Sequence, residues 1–306
     1  MVGPNLPGRH GRRRLAVPSM PTHRGGALAR GLQFGLVYPL PPRLAVPPIT
    51  ATSAAGILPR PRQRCLGLAA PQAFYSVAGR LLAGSAVAAA LFAVAGLVLG
   101  LLVAPTDLQQ GDAYRIVFVH VPAAWMSMLI YAAMAFSAGI GLLLNTRLPS
   151  MLATALAPTG ALMTLIALWT GALWSKPTWG AWWAWDARLA AELMLLLLYL
   201  GFMALQASTD DRRRAEHVGA AVVLVGVVIV PATYCSVQWW NTPDPNSSAT
   251  VTGGPGMAGV ALAGMLLMLA AFCAYSMAAA LHRLRSIILE REKSTDWVQR
   301  LVEAGR

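Results

Sequence analysis

The 306 residues are 57% hydrophobic with a mean hydropathy of +0.56, a balance that excludes an ordinary water-soluble domain and points to a polytopic membrane protein. The net charge of +12 invites a nucleic-acid reading, but ten of the 24 basic residues are arginines lying before residue 71, in a stretch without acid or lysine. The remaining 14 bases face 12 acids, so the body of the chain is nearly neutral and nucleic acid is not an expected partner.

Residues 1–75 carry twelve prolines and two copies of one short string, Arg14-Leu-Ala-Val-Pro18 and Arg43-Leu-Ala-Val-Pro47. They read as a disordered extension. An organelle transit peptide and a segment upstream of the true start both account for it, and the lack of a sustained amphipathic pattern favours the second. Residues 76–290 then form the membrane domain, and residues 291–306 a cytoplasmic tail.

From residue 81 the chain runs in long uncharged stretches, each near or above the roughly 20 residues that cross the hydrocarbon core. They are Leu81 to Val103, Val121 to Leu144, Met151 to Ser175, Leu189 to Ser208, Val218 to Gln238 and Met257 to Leu281. A lipid-facing backbone finds no water to bond with, so each must be a helix. The expected fold is therefore all-α, with six transmembrane helices.

Orientation follows from the bases at the span ends. One side carries Arg80, Arg147, Arg212, Arg213, Arg214, Arg283, Arg285, Arg291, Lys293, Arg300 and Arg306, and the other has Arg115, Lys176 and Arg188. The richer side is cytoplasmic by the positive-inside rule. Both termini are then inside, and loops 104–120, 174–188 and 239–256 face outward.

The second of these loops runs Trp174-Ser-Lys-Pro-Thr-Trp179-Gly-Ala-Trp182-Trp183-Ala-Trp185-Asp186-Ala-Arg188. If it is helical from Trp179, then Trp179, Trp182, Trp183 and Asp186 share a face by three- and four-residue spacing. Gly180, Ala181 and Ala184 leave room for something planar above that aromatic shelf. Tryptophans also anchor helix ends at the headgroups, but five here, with Trp239 and Trp240 on another outer loop, exceed what anchoring needs. A porphyrin offers an apolar face for stacking, and its propionates need cations. Lys176, Arg188 and Arg115 are the outward candidates, each equally able to contact lipid headgroups.

Heme iron usually takes an axial imidazole. His10 and His23 lie in the extension, His217 and His282 among cytoplasmic bases, and His120 alone faces outward, just before Pro122 at a helix start. Alone, such a histidine is more often a structural hydrogen-bonding residue. Glu192 is the ionisable group inside a span, and an i,i+4 pair with Arg188 is its simplest role. Cys65, Cys235 and Cys273 form neither CxxC nor CxxCH, so the chain is not itself a c-type cytochrome.

The run Trp179 to Leu189 closely resembles the WWD motif of heme-handling proteins in cytochrome c biogenesis. Resemblance to the heme exporter protein C (CcmC) family covers residues 75 to 300. It includes Gln110-Gly-Asp-Ala-Tyr-Arg115, His120-Val-Pro-Ala-Ala124, Asp210-Asp-Arg-Arg213 and Ser236-Val-Gln-Trp-Trp-Asn-Thr242. The resemblance implies a non-enzymatic protein of the bacterial inner membrane that holds heme b, non-covalently and transiently, on the periplasmic side. It further implies a small membrane partner, ABC transporter subunits, and delivery of heme to a periplasmic heme chaperone. In the family the WWD segment cradles heme and two outer-loop histidines ligate iron. His120 matches the first; the second falls in Trp-Trp-Asn-Thr-Leu-His, where this chain reads Trp239-Trp-Asn-Thr-Pro243-Asp244. Asp244 is a harder donor that favours ferric iron and implies weaker heme retention, with a five-coordinate or water-ligated site as further options. Tyr234 and Cys235 are alternative donors or packing residues.

Two rival readings remain. A b-type heme subunit of a membrane oxidoreductase normally needs paired histidines within its spans, and a secondary transporter needs inverted repeats with broken helices. Pro158 marks a candidate kink in the third span. Gly253-Gly-Pro-Gly256 lacks the Lys-Ser/Thr of a phosphate loop, so energy must come from a partner.

Overall fold

The computed structural model describes residues 71–106, 110–183, 185–239 and 259–303; the expected extension lies outside the described residues up to position 70. Among the described residues every regular element is helical. Helix α1 (Pro71–Leu97) continues as a π-helical segment, Val98–Val103, and a 3-10 turn, Asp112–Ile116, leads into α2 (Val117–Leu144). There follow α3 (Arg147–Trp179), α4 (Ala187–Ser208), α5 (Arg212–Gly226), α6 (Ile229–Trp239), α7 (Gly259–Arg291) and α8 (Asp296–Glu303). Among the described residues six segments are long and apolar enough to cross a membrane: Pro71–Val103, Asp112–Leu144, Arg147–Trp179, Ala187–Ser208, Arg212–Thr233 and Gly259–Arg291. The six expected spans are all present. Most extend beyond their uncharged runs, because helix continues into the charged ends that a hydropathy reading leaves outside.

Pro158, the candidate kink, does not divide its helix. Pro158 and Pro177 lie within a continuous α3, and Pro122 is buried in α2 rather than in its first turn. The fifth span is the broken one, between Gly226 and Ile229. Pro231 has no N–H for the carbonyl of Val227, which instead accepts from the Val230 amide at 3.1 Å. Proline chemistry explains this break without any need for a transport mechanism.

Between α2 and α3 the chain reverses over two residues, with Asn145 in the left-handed conformation (φ 48°). Asn tolerates that region better than most residues. The helices then pack antiparallel through Ala135, Ala138, Ala153, Ala157 and Ala161. Lipid tails are as apolar as leucine, so association in a bilayer rests on close van der Waals packing, which small residues permit. At the centre, fully buried Tyr131 and Tyr199 meet edge to face at 5.1 Å, and the Tyr199 hydroxyl donates to the Ser127 carbonyl at 2.8 Å.

The bundle has two distinct ends. At one, Ala104, Val117, Phe118, Ala261 and Met265 cluster, with Tyr114, Val121 and Trp174 packed on them. At the other, Met151, Ala155, Leu284 and Ile288 pack beside Phe74, Leu148 and Trp297. The Arg212–Glu290 pair, at 3.2 Å, and the Arg291–Glu216 pair belong to this second end. His217 and His282 lie on the helices that reach it, while His120 belongs to the first end.

Candidate functional site

His120 is the fourth residue of α2, and its ring turns toward α3. Its Nδ1 lies 3.0 Å from the Ala167 carbonyl oxygen and 3.0 Å from the Thr170 hydroxyl oxygen. The ring stands edge-on to Trp174, with centroids 5.8 Å apart. Trp174 is itself held by a 2.9 Å hydrogen bond from its indole N–H to the Gln110 side-chain oxygen. No described residue bonds the His120 Nε2, which leaves that nitrogen available as a donor atom.

The tryptophan segment is not one helix. Trp179 is the last residue of α3, and Gly180 follows in the left-handed conformation (φ 77°), its amide donating to the Lys176 carbonyl at 3.0 Å. Glycine reaches that conformation without the Cβ clash that penalises other residues, and so ends helices. Beyond it the chain bends at Ala181 and Trp182 and is extended at Asp186. The expected single face of Trp179, Trp182, Trp183 and Asp186 is therefore corrected: the indoles are carried on a helix end and an irregular loop. Trp179, Trp182 and Trp185 are 48, 58 and 78% exposed, whereas Trp183 is half-buried against Trp185, edge to face at 5.4 Å. The indole N–H of Trp183 is buried and has no partner among the described residues.

The candidate cations are already engaged. Lys176 donates to the Gly180 carbonyl at 2.9 Å and sits 5.8 Å above the Trp182 ring. Arg115 pairs with Asp112 at 3.1 Å and donates to the carbonyls of Gly100 and Leu101. It thereby satisfies backbone groups at the end of the π-helical segment that would otherwise lack partners. Arg188 lies 3.8 Å from Asp186.

Asp186 is buried and caps α4, accepting from the Leu189 amide at 2.7 Å. An Arg188 to Glu192 pair is not formed. Glu192, 6% exposed, faces the Ser127 hydroxyl of α2, and its Oε1 has no partner among the described residues. The acid whose spacing suggested an i,i+4 pair with Arg188 is an interhelical group inside the bundle.

Trp239 ends α6, while Trp240 and Asp244 lie outside the described residues, so the structure brings His120, Trp174, Lys176 and the Trp179–Arg188 segment to one end without reaching the third loop. The residues that sequence reasoning passed over are Ala167, Thr170 and Gly171, and Gln110 was noted only within a resembling segment, without a role. Ala167, Thr170, Gly171 and Trp174 recur at helical spacing on one face of α3, and that periodicity was the available signal.

Residues 64–299 match the family model of heme exporter protein C. The chain is 42% identical over 239 residues to heme exporter protein C of Escherichia coli K12, covering 77% of this chain and 95% of that protein. It is 37% identical over 235 residues to that of Haemophilus influenzae, covering 77% and 96%. A putative cytochrome c biosynthesis ccmC-like mitochondrial protein of Marchantia polymorpha is 44% identical over 155 residues, 51% of this chain and 65% of that protein. With a family match across most of its length and relatives covered almost end to end, the chain belongs to the heme exporter protein C family.

Proposed function

We propose that this protein holds heme at the tryptophan-rich end of its bundle and delivers it for cytochrome c maturation. The observation that carries the reading is the juxtaposition of His120, its Nε2 bonded by none of the described residues, with an indole cluster whose Trp179, Trp182 and Trp185 remain open at the surface. The residues fit the macrocycle in three respects. Indoles supply stacking faces, imidazole supplies the usual axial ligand, and the buried Trp183 N–H is a donor that a propionate oxygen would satisfy. Lys176, Arg115 and Arg188 are the cations a propionate could use at this end, although each also has a partner within the protein.

The heme is non-covalent heme b, since no attachment motif exists in the chain. The protein acts as a transfer factor rather than an enzyme: stacking and one axial bond hold the cargo, and exposed indole edges leave it accessible to a receiver. By the positive-inside rule the site is periplasmic and both termini are cytoplasmic, in the inner membrane. The receiver is a periplasmic heme chaperone, with a small membrane protein and ABC transporter subunits as partners that supply energy.

Purified protein in detergent, titrated with hemin, is expected to develop a Soret band that His120→Ala abolishes. A strain lacking the gene is expected to lose c-type cytochromes. A retained band in the variant, or normal cytochrome content in the deletion, contradicts the proposal.

A further inference from the structure

Nδ1 of His120 meets two oxygen atoms, and the carbonyl of Ala167 can only accept. The Thr170 hydroxyl has carbonyl acceptors for its own proton, Ile166 at 2.6 Å and Ala167 at 3.2 Å, so toward the imidazole it too is an acceptor. The ring proton therefore resides on Nδ1, and Nε2 carries the lone pair. Around this contact the α3 face is shaped to the ring. Trp174 braces one edge. At Gly171 an added Cβ would stand 3.1 Å from the His120 Cε1 and 3.1 Å from a Leu189 methyl, a fit with no room to spare.

We infer that Thr170 is a positioning residue for the axial histidine, its hydroxyl reinforcing the orientation of the His120 ring, whose proton the Ala167 carbonyl already fixes on Nδ1, and strengthening it as an iron donor. The inference rests on the heme reading above and extends it to a residue with no contact to the cargo. A hydrogen bond to the distal nitrogen makes imidazole a more basic ligand, and partners of this kind typically alter metal affinity by about 10–100-fold. Because Ala167 continues to accept when the hydroxyl is removed, the expected effect lies at the lower end, about tenfold.

The test uses the full chain in detergent, hemin titration and a spectroelectrochemical potential. Thr170→Val keeps the side-chain shape and is expected to weaken ferric heme retention about tenfold, with the reduction potential moving positive; Thr170→Ser is expected to restore both. If Thr170→Val matches the parent in affinity and potential while His120→Ala loses its Soret band, the positioning role is overturned and the heme reading stands. If His120→Ala also keeps the band, His120 is not the ligand, and both fall.

Discussion

The imidazole of His120 and the indole of Trp174 meet edge to face, their planes 72° apart, at the point where α2 and α3 converge on the tryptophan-rich end. The contact joins the candidate ligand to the segment that follows it, so loop and ligand are held by one another. Edge-to-face aromatic pairs add about 0.5–1.5 kcal/mol beyond area burial. Trp174→Ala is expected to weaken heme retention several-fold by releasing the ring. Trp174→Phe, which keeps an aromatic edge but loses the Gln110 bond, falls between variant and parent. Hemin titration of the three proteins checks the order, and equal affinities would remove Trp174 from the site.

Asp186 has two separable roles. As the cap of α4 its loss in Asp186→Ala is expected to cost about 0.5–2 kcal/mol, visible as a lower melting temperature. Asp186→Asn retains a capping oxygen but not the charge facing Arg188, and is expected to melt like the parent. Should Asp186→Asn nevertheless lose heme, the carboxylate acts at the site as well as in the helix; heme retention at parent level assigns it to folding alone.

Gly160 tests the packing between α3 and α4. A Cβ there would lie 2.1 Å from Tyr199 Cζ and 2.3 Å from its hydroxyl oxygen, and Tyr199 is fully buried and bonded to the Ser127 carbonyl. Overpacking a filled core costs about 1–3 kcal/mol. Gly160→Ala is expected to lower thermal stability in detergent, whereas Gly201→Ala, with open space around it, is expected to leave it unchanged. Identical melting curves for the two variants would refute tight packing at this crossing.

The resemblance read from the sequence puts Asp244 at the position of a second iron-ligating histidine. Asp244→His is expected to tighten heme binding and shift the ferric spectrum toward a six-coordinate, low-spin form, because imidazole is a stronger-field donor than carboxylate. An unchanged spectrum and affinity would show that this position is not an iron ligand.

Much of the architecture was legible before any coordinates. Long uncharged runs dictate helices, since no other spanning structure satisfies its amides in lipid, and their number and order emerged correctly. Helix ends were read too short because the first and last turns carry charge. The break at the fifth span was not foreseen, while Pro158, a candidate kink, lies in an unbroken α3: proline removes one hydrogen bond wherever it falls, but neighbouring helices decide whether the chain bends or absorbs the loss.

The sequence by itself determined that this protein crosses a membrane six times, that five of its ten indoles fall within twelve residues, and that His120 stands at the same end. Those properties follow from composition and one-dimensional spacing. Only the tertiary structure decided that Gly180 ends α3 inside the tryptophan run, that Asp186 caps α4, that Glu192 faces Ser127 instead of Arg188, and that Thr170 holds the His120 ring. The Asp186 cap is local, but the others depend on a left-handed turn or on contact between residues distant along the chain, such as the 50 positions that separate His120 from Thr170. Local periodicity carries no record of which helix faces will meet.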